Sequence, residues 1–284
     1  MMQKKLHAYL HLTRFDKPVG IYLLLWPTLW ALWLAANGVP DGKILGVFVA
    51  GVVLMRAAGC AINDYFDRHI DGHVKRTQNR PLAQGLIHPR EAVAVFIGLA
   101  LLAFALVLLL NPFTVALSFV GAALAACYPL MKRKTHLPQA FLGMAFGWAV
   151  PMAFAAQTNN LPPLAWVVYL AVILWALIYD TLYALADKAD DIKIGVKSTA
   201  ILFGRQVRLM VGILQAVMLG LLIVAGNMAA LGVAYWLGLV VAAGLFGYHQ
   251  YLIKDQKPSL CFQAFKHNHW VGLAILIGIM LALA

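Results

Sequence analysis

Nine stretches of this chain are apolar and long enough to cross a bilayer: near residues 20 to 36, 44 to 62, 92 to 110, 113 to 131, 137 to 157, 162 to 182, 208 to 226, 228 to 247 and 268 to 284. A helical crossing takes about 20 such residues, and in hydrocarbon the backbone must pair its own N–H and C=O groups. The predicted fold is therefore all-α and polytopic, with about nine transmembrane helices. At 63% hydrophobic and 12% charged residues, the chain is more apolar than a soluble domain of its length. Asn111-Pro112, Asn159-Asn160-Leu161-Pro162-Pro163 and Gly226-Asn227 are uncharged turn signals between close pairs of runs. The first run, behind Lys4 and Lys5, has the outline of a signal peptide, but eight further spans favour an uncleaved helix.

Orientation follows from the cations, because Lys and Arg in short loops stay cytoplasmic. With the amino terminus inside, all of the 22 lysines and arginines except Lys43 and Arg56 fall on the cytoplasmic side. The net charge of +11 is thus a topology signal and needs no nucleic acid to explain it. A cation-rich cytoplasmic face also suits anionic lipids or an anionic substrate. Cys60, Cys127 and Cys261 are odd in number and scattered, and read as packing residues.

Against this background the acids stand out. Seven of the chain's 11 acidic residues lie in two clusters, Asp64, Asp67 and Asp71 after Asn63, and Asp180, Asp187, Asp190 and Asp191. Each cluster ends an apolar run, the second and the sixth. The spans divide as four, four and one, which predicts two parallel four-helix pseudo-repeats whose acidic ends meet across a shared cavity.

Helical spacing places Asn63, Asp67 and Asp71 on one face, with Asp64 on the adjoining edge. Asp180, Ala184, Asp187 and Asp191 form a second stripe, and Asp190 is rotated off it. Carboxylates this close repel unless cations neutralise them. Oxygen-rich sets of this kind suit Mg2+ or Mn2+, which share their shell with water and phosphate oxygens. A solvated helix end paired with Arg68, Lys75 and Arg76 is the simpler reading, and the scarcity of acids elsewhere argues against it. Arg56 lies two turns deeper on the Asn63 face, where an intramembrane cation is costly and usually functional. Arg68, Lys75, Arg76, Arg80, Lys132, Arg133, Lys134, Lys188, Lys193 and Lys197 supply charge for phosphate oxygens. No glycine-rich nucleotide loop is present, so a diphosphate on a lipid tail is the better match.

Several other groups carry weaker signals. Arg14, Asp16 and Lys17 precede the first run, either as interfacial anchors or as polar groups at the mouth of a site. His267 and His269 read as surface residues of an interfacial loop, and the Trp26, Trp30, Trp33 stripe as packing or a lipid interface.

The motifs resemble the UbiA superfamily of intramembrane aromatic prenyltransferases. The likeness runs through Arg14-Phe-Asp-Lys-Pro-Val-Gly20, Trp26-Pro-Thr28, Arg56-Ala-Ala-Gly-Cys-Ala-Ile-Asn63-Asp64-Tyr-Phe-Asp67 and Asn79-Arg-Pro-Leu82. It continues in Tyr128-Pro-Leu-Met-Lys132-Arg133-Lys134 and Tyr179-Asp180-Thr-Leu-Tyr-Ala-Leu-Ala-Asp187. The Trp-Pro-Thr and Tyr-Pro segments are similar to the branch acting on 4-hydroxybenzoate in ubiquinone biosynthesis. The resemblance implies one transmembrane prenyltransferase domain, residues 1–284, in the bacterial cytoplasmic (inner) membrane. It implies Mg2+ held by Asn63, Asp64, Asp67, Asp71, Asp187 and Asp191, with Asp67, Asp71, Asp187 and Asp191 catalytic. Polyprenyl diphosphate would meet Arg68, Lys132, Lys134 and Lys188, and the aromatic acid would meet Arg133, Asp180 and Arg56. Transfer to another aromatic acceptor is the rival within this chemistry. An ion-coupled transporter is the rival outside it, since intramembrane acids also serve cation pathways.

Overall fold

The computed structural model describes residues 2–284, and all their side chains except those of Met2, Gln3, Lys4, Leu130, Lys132 and Arg133. Its helices are α1 (Met2–Leu12), α2 (Val19–Ala36), α3 (Gly42–Asp67), α4 (Pro89–Val107), α5 (Pro112–Lys134), α6 (Pro138–Gly147), α7 (Ala149–Thr158), α8 (Pro163–Ile194), α9 (Thr199–Leu202), α10 (Val207–Met228), α11 (Val233–Leu252) and α12 (Pro258–Ala282). No strand occurs among the described residues. Among the described residues, eight segments are long and apolar enough to cross a membrane, with α6 and α7 together making one of them. The run at 228 to 247 forms α11, Val233–Leu252, whose last turns carry the polar Tyr248-His249-Gln250. The chain is a multi-pass membrane protein.

Local chemistry sets the helix ends. Asp41 caps α3 by accepting from the Ile44 N–H at 3.0 Å, and Asn111 caps α5 by accepting from Thr114 N–H at 2.8 Å. Asn111 also donates to the Ala155 carbonyl at 2.7 Å, tying α5 to α7. The run at 137 to 157, expected as one helix, breaks at Trp148. Pro151 has no N–H to offer the Gly147 carbonyl four residues back.

The long helix α8 is the centre of the bundle, packed by α6, α10 and α12, while α2 lies between α7 and α12. The Trp26, Trp30, Trp33 stripe is packing: Trp30 is fully buried, stacks on Trp175 at 5.3 Å and donates to the Gly272 carbonyl at 2.9 Å. His267 and His269 sit inside α12, not on a loop, because that helix begins ten residues earlier than its apolar run. His267 pairs with His249 of α11 at 3.2 Å. Cys60 and Cys261 are buried as expected, but Cys127 is exposed on α5.

Small residues let helices approach without a hydrophobic drive between them. A methyl group on Gly238 would lie 2.8 Å from the Ala274 carbonyl oxygen, so α11 and α12 touch backbone to backbone there. Gly238→Ala is expected to destabilise the protein by about 1–3 kcal/mol, measured as a lower Tm in detergent. Gly244→Ala on the same helix, with no atom within 4 Å of the added methyl, should leave Tm unchanged or raise it.

Candidate active site

At about 1.5 Å per residue, the 32 residues of α8 extend roughly 48 Å, well beyond a hydrocarbon core of about 30 Å. The last turns therefore emerge from the apolar zone and carry Asp187 and Asp191. The 26 residues of α3 end in the same way, on Asn63, Asp64 and Asp67. Between these helix ends lies a cavity of about 540 Å3, lined by Asn63, Asp64, Asp67, Asp71, Asp180, Asp187 and Asp191 together. The two acidic clusters thus face one space.

Asp71 reaches that space by a different route from the one its spacing implied. α3 stops at Asp67, Arg68 turns its guanidinium back onto the Tyr65 carbonyl at 2.6 Å, and Asp71 opens a 3₁₀ turn, Asp71–His73. Asp71 is nonetheless only 4% exposed. Thr77 donates to its backbone carbonyl at 2.9 Å, and Arg80 Nη1 donates to both carboxylate oxygens at 2.9 and 3.0 Å.

Arginines hold this site together. Arg14 donates to both oxygens of Asp64 at 2.8 and 2.9 Å, and Arg80 reaches Asp64 Oδ1 at 3.1 Å while holding Asp71. Arg76 forks onto Asp187 with its Nε at 2.9 Å from Oδ1, and lies 4.1 Å over the Tyr183 ring. The loop after α3 is thereby fastened to the end of α8. Burial pushes the Asp71 carboxyl above its ordinary value; Arg80 opposes that shift, and the nearby Asp67 and Asp64 charges add to it. Burial also disfavours the Arg80 charge, but Asp64 and Asp71 outweigh it and hold the guanidinium firmly protonated.

Of the cations that the sequence offers for phosphate oxygens, Arg76, Arg80 and Lys197 line the cavity, whereas Arg68, Lys134 and Lys188, which the resemblance assigned to the diphosphate, do not. Lys188 points away, donating to the Gly204 carbonyl at 3.3 Å, and Arg68 is engaged with Tyr65. Each follows a cluster aspartate by one residue, which is about 100° around a helix. Lys134 does not line the cavity; its carbonyl accepts from Lys197 at 3.4 Å. The side chains of Lys132 and Arg133 lie outside the described residues. Among the described cations, Arg14, Arg56, Arg76, Arg80 and Lys197 line the cavity. Asp190 is off it, as its rotation predicted, and bonds Lys193 at 3.3 Å.

Arg56 stands at the membrane end of the site. Its Nε is buried without a hydrogen-bond partner among the described residues, and Tyr128, Tyr179 and Tyr183 border the same cavity. Sequence spacing had no means of selecting Gln139 and Ser198, which also line it. Gln139 accepts from the Thr199 N–H at 3.1 Å, and Thr199 shares a 2.6 Å hydrogen bond with Thr181, fixing the Gly195–Ser198 rim against α8.

Among the described residues, no three His, Cys, Asp or Glu side chains converge as a ready-made metal centre. The donors nevertheless fit a hard divalent cation. They are all oxygens, the Asn63 Oδ1 is buried with no partner among the described residues, and Asp64, Asp71 and Asp187 have arginines that supply compensating charge. Such an ion keeps waters and phosphate oxygens in its shell and needs only one or two protein carboxylates.

Comparison with known proteins agrees with this architecture. The 4-hydroxybenzoate octaprenyltransferase of Saccharophagus degradans is 58% identical over 279 residues, covering 98% of this chain and 93% of the relative. The apo structure of a UbiA homologue from Aeropyrum pernix superposes with a TM-score of 0.81 at 26% identity, over 92% of this chain and 97% of that one. A UbiA homologue from Archaeoglobus fulgidus bound to GPP and Mg2+ shares the fold, with a TM-score of 0.71 at 20% identity over 96% of this chain and 99% of that one. The model of the UbiA prenyltransferase family matches residues 24–272, which include both acidic segments, and the chain belongs to that family.

Proposed function

We propose that this protein transfers a polyprenyl group from polyprenyl diphosphate to the ring carbon ortho to the hydroxyl of 4-hydroxybenzoate, releasing diphosphate, as a step of ubiquinone biosynthesis. The observation that carries this reading is the cavity itself: two acidic helix ends and, among the described residues, five cations around one space in a membrane bundle. An anionic head group on an apolar tail matches that division. The near full-length likeness to 4-hydroxybenzoate octaprenyltransferases selects the acceptor and makes an octaprenyl donor the first choice for assay. We place the protein in the bacterial cytoplasmic membrane as one domain spanning 1–284, with its amino terminus and site on the cytoplasmic face.

Asn63, Asp64, Asp67, Asp71, Asp187 and Asp191 would hold Mg2+. When bound, the metal supplies Lewis-acid stabilisation of the departing diphosphate. Arg76, Arg80 and Lys197 add fixed positive charge on the same side. As the allylic C–O bond breaks, its electron pair leaves with the diphosphate. The resulting carbocation faces the rings of Tyr128, Tyr179 and Tyr183, whose π-electrons favour a cation. Arg56 receives the aromatic carboxylate and so sets the ring's orientation. A ring carbon then forms the new C–C bond, and its proton passes to Asp180 or Asp191. Leu23, Leu142, Phe146 and Phe265 line the apolar part of the cavity and keep water from the cation.

The test is purified protein in lipid with Mg2+, labelled octaprenyl diphosphate and 4-hydroxybenzoate. Prenylated 4-hydroxybenzoate is expected, its formation abolished by EDTA and restored by excess Mg2+. Folded protein that makes no product, or that works equally well in EDTA, overturns the reading.

A further inference from the structure

We infer that Gly20 is a positioning residue for Arg56, and that its missing side chain sets where the acceptor's carboxylate binds. The inference rests on the proposed acceptor. Gly20 lies in the first turn of α2, is buried, and borders the cavity. A methyl group built there would stand 2.7 Å from Arg56 Cζ and closer still to Nε and Nη2, so the guanidinium occupies the volume that a β-carbon would fill.

Three consequences follow from that contact. The atoms in the way are the far end of a flexible side chain, not backbone, so an added methyl displaces the guanidinium and leaves the helices where they are. The displaced group is the one described cation of the cavity with a buried, unpartnered N–H. Arg14, Arg76 and Arg80 each hold a carboxylate, whereas Arg56 has no carboxylate within 4 Å among the described residues. The guanidinium also rests against the amino-terminal end of α2, where Pro18 provides no side-chain cap. Two positive ends in contact are favourable only with an anion shared between them.

A bidentate pair between guanidinium and carboxylate tolerates little displacement. Hydrogen bonds to charged groups contribute about 1.5–3 kcal/mol, so Gly20→Ala is expected to raise the KM for 4-hydroxybenzoate by about tenfold to a hundredfold. The KM for octaprenyl diphosphate should stay within about twofold, since Arg76, Arg80 and Lys197 sit elsewhere on the cavity wall. In an Arg56→Met background the same Gly20→Ala change should have no further effect, because the group it displaces is gone.

The wild-type assay separates the two levels of inference. Absence of product from folded wild-type protein overturns the acceptor reading, and this inference with it. With wild-type turnover established, three results overturn this inference alone: an unchanged KM for 4-hydroxybenzoate, an equal rise in both KM values, or a Gly20→Ala effect that persists undiminished in Arg56→Met. Failure of Gly20→Ala to fold counts against it as well, since the guanidinium, and not the fold, must absorb the methyl. A rise confined to octaprenyl diphosphate would assign Arg56 to the diphosphate.

Discussion

Asp67→Ala and Asp187→Ala are each expected to lower turnover by about 1,000-fold or more, while the variants still insert and keep a cooperative thermal transition. The two positions test the pairing of the clusters from both sides. Asp67 is the last residue of α3, and Asp187 lies near the end of α8 with Arg76 as its only charged partner among the described residues. Removing Asp187 leaves Arg76 stacked on Tyr183 and close to solvent, so the fold should survive its loss. Asn at either site separates charge from volume: if the carboxylates serve a cation, Asp67→Asn and Asp187→Asn should fail nearly as badly as Ala, and a higher Mg2+ concentration should recover part of the rate. Near-normal turnover in any of the four variants would remove that residue from the metal set. An equal rate loss that Mg2+ cannot move would instead make Asp187 a latch for the loop after α3.

Much of this arrangement is legible in the chain because a bilayer leaves few alternatives. Twenty apolar residues with no water to satisfy their backbone must be helical, so the bundle follows from hydropathy alone. Acids that end two such runs must meet something that neutralises them. The failures have local causes. The i, i+4, i+8 rule placed Asp71 on α3, but that rule assumes the helix continues. Here Arg68 folds back on Tyr65 and the chain turns, and Asp71 reaches the site because Arg80 holds it there. Lys188 and Arg68, which the resemblance assigned to the diphosphate, each follow a cluster aspartate by one residue, and helical geometry sends adjacent side chains about 100° apart. Arg76 and Arg80 come from an irregular loop, where no periodicity says which way a side chain points; only its attachment to Asp187, Asp64 and Asp71 does.

Arg80→Met should be the most damaging of the arginine substitutions, in stability as well as in rate. Arg80 bridges Asp64 and Asp71, whose side chains are 2% and 6% exposed, and is itself 18% exposed. Removing one member of a buried ionic group costs about 3–5 kcal/mol, because the remaining charges stay desolvated without a partner. Arg14 still covers Asp64, so the penalty falls chiefly on Asp71. Its dependence on pH has a definite sign. Asp71 already has a raised pKa in the folded protein, and losing Arg80 raises it further. A carboxyl that binds its proton more tightly folded than unfolded favours folding when protonated, so stability falls as pH rises above the ordinary aspartate value of 3.8 toward the raised one. Arg80→Met should therefore regain part of its lost Tm as pH is lowered from 7 toward 5, relative to wild type over the same range. Mg2+ should act in the same direction at neutral pH if it can take the place of the guanidinium between Asp64 and Asp71. A Tm deficit indifferent to both protons and Mg2+ would mean that Arg80 acts through packing and not through the charge of these two aspartates.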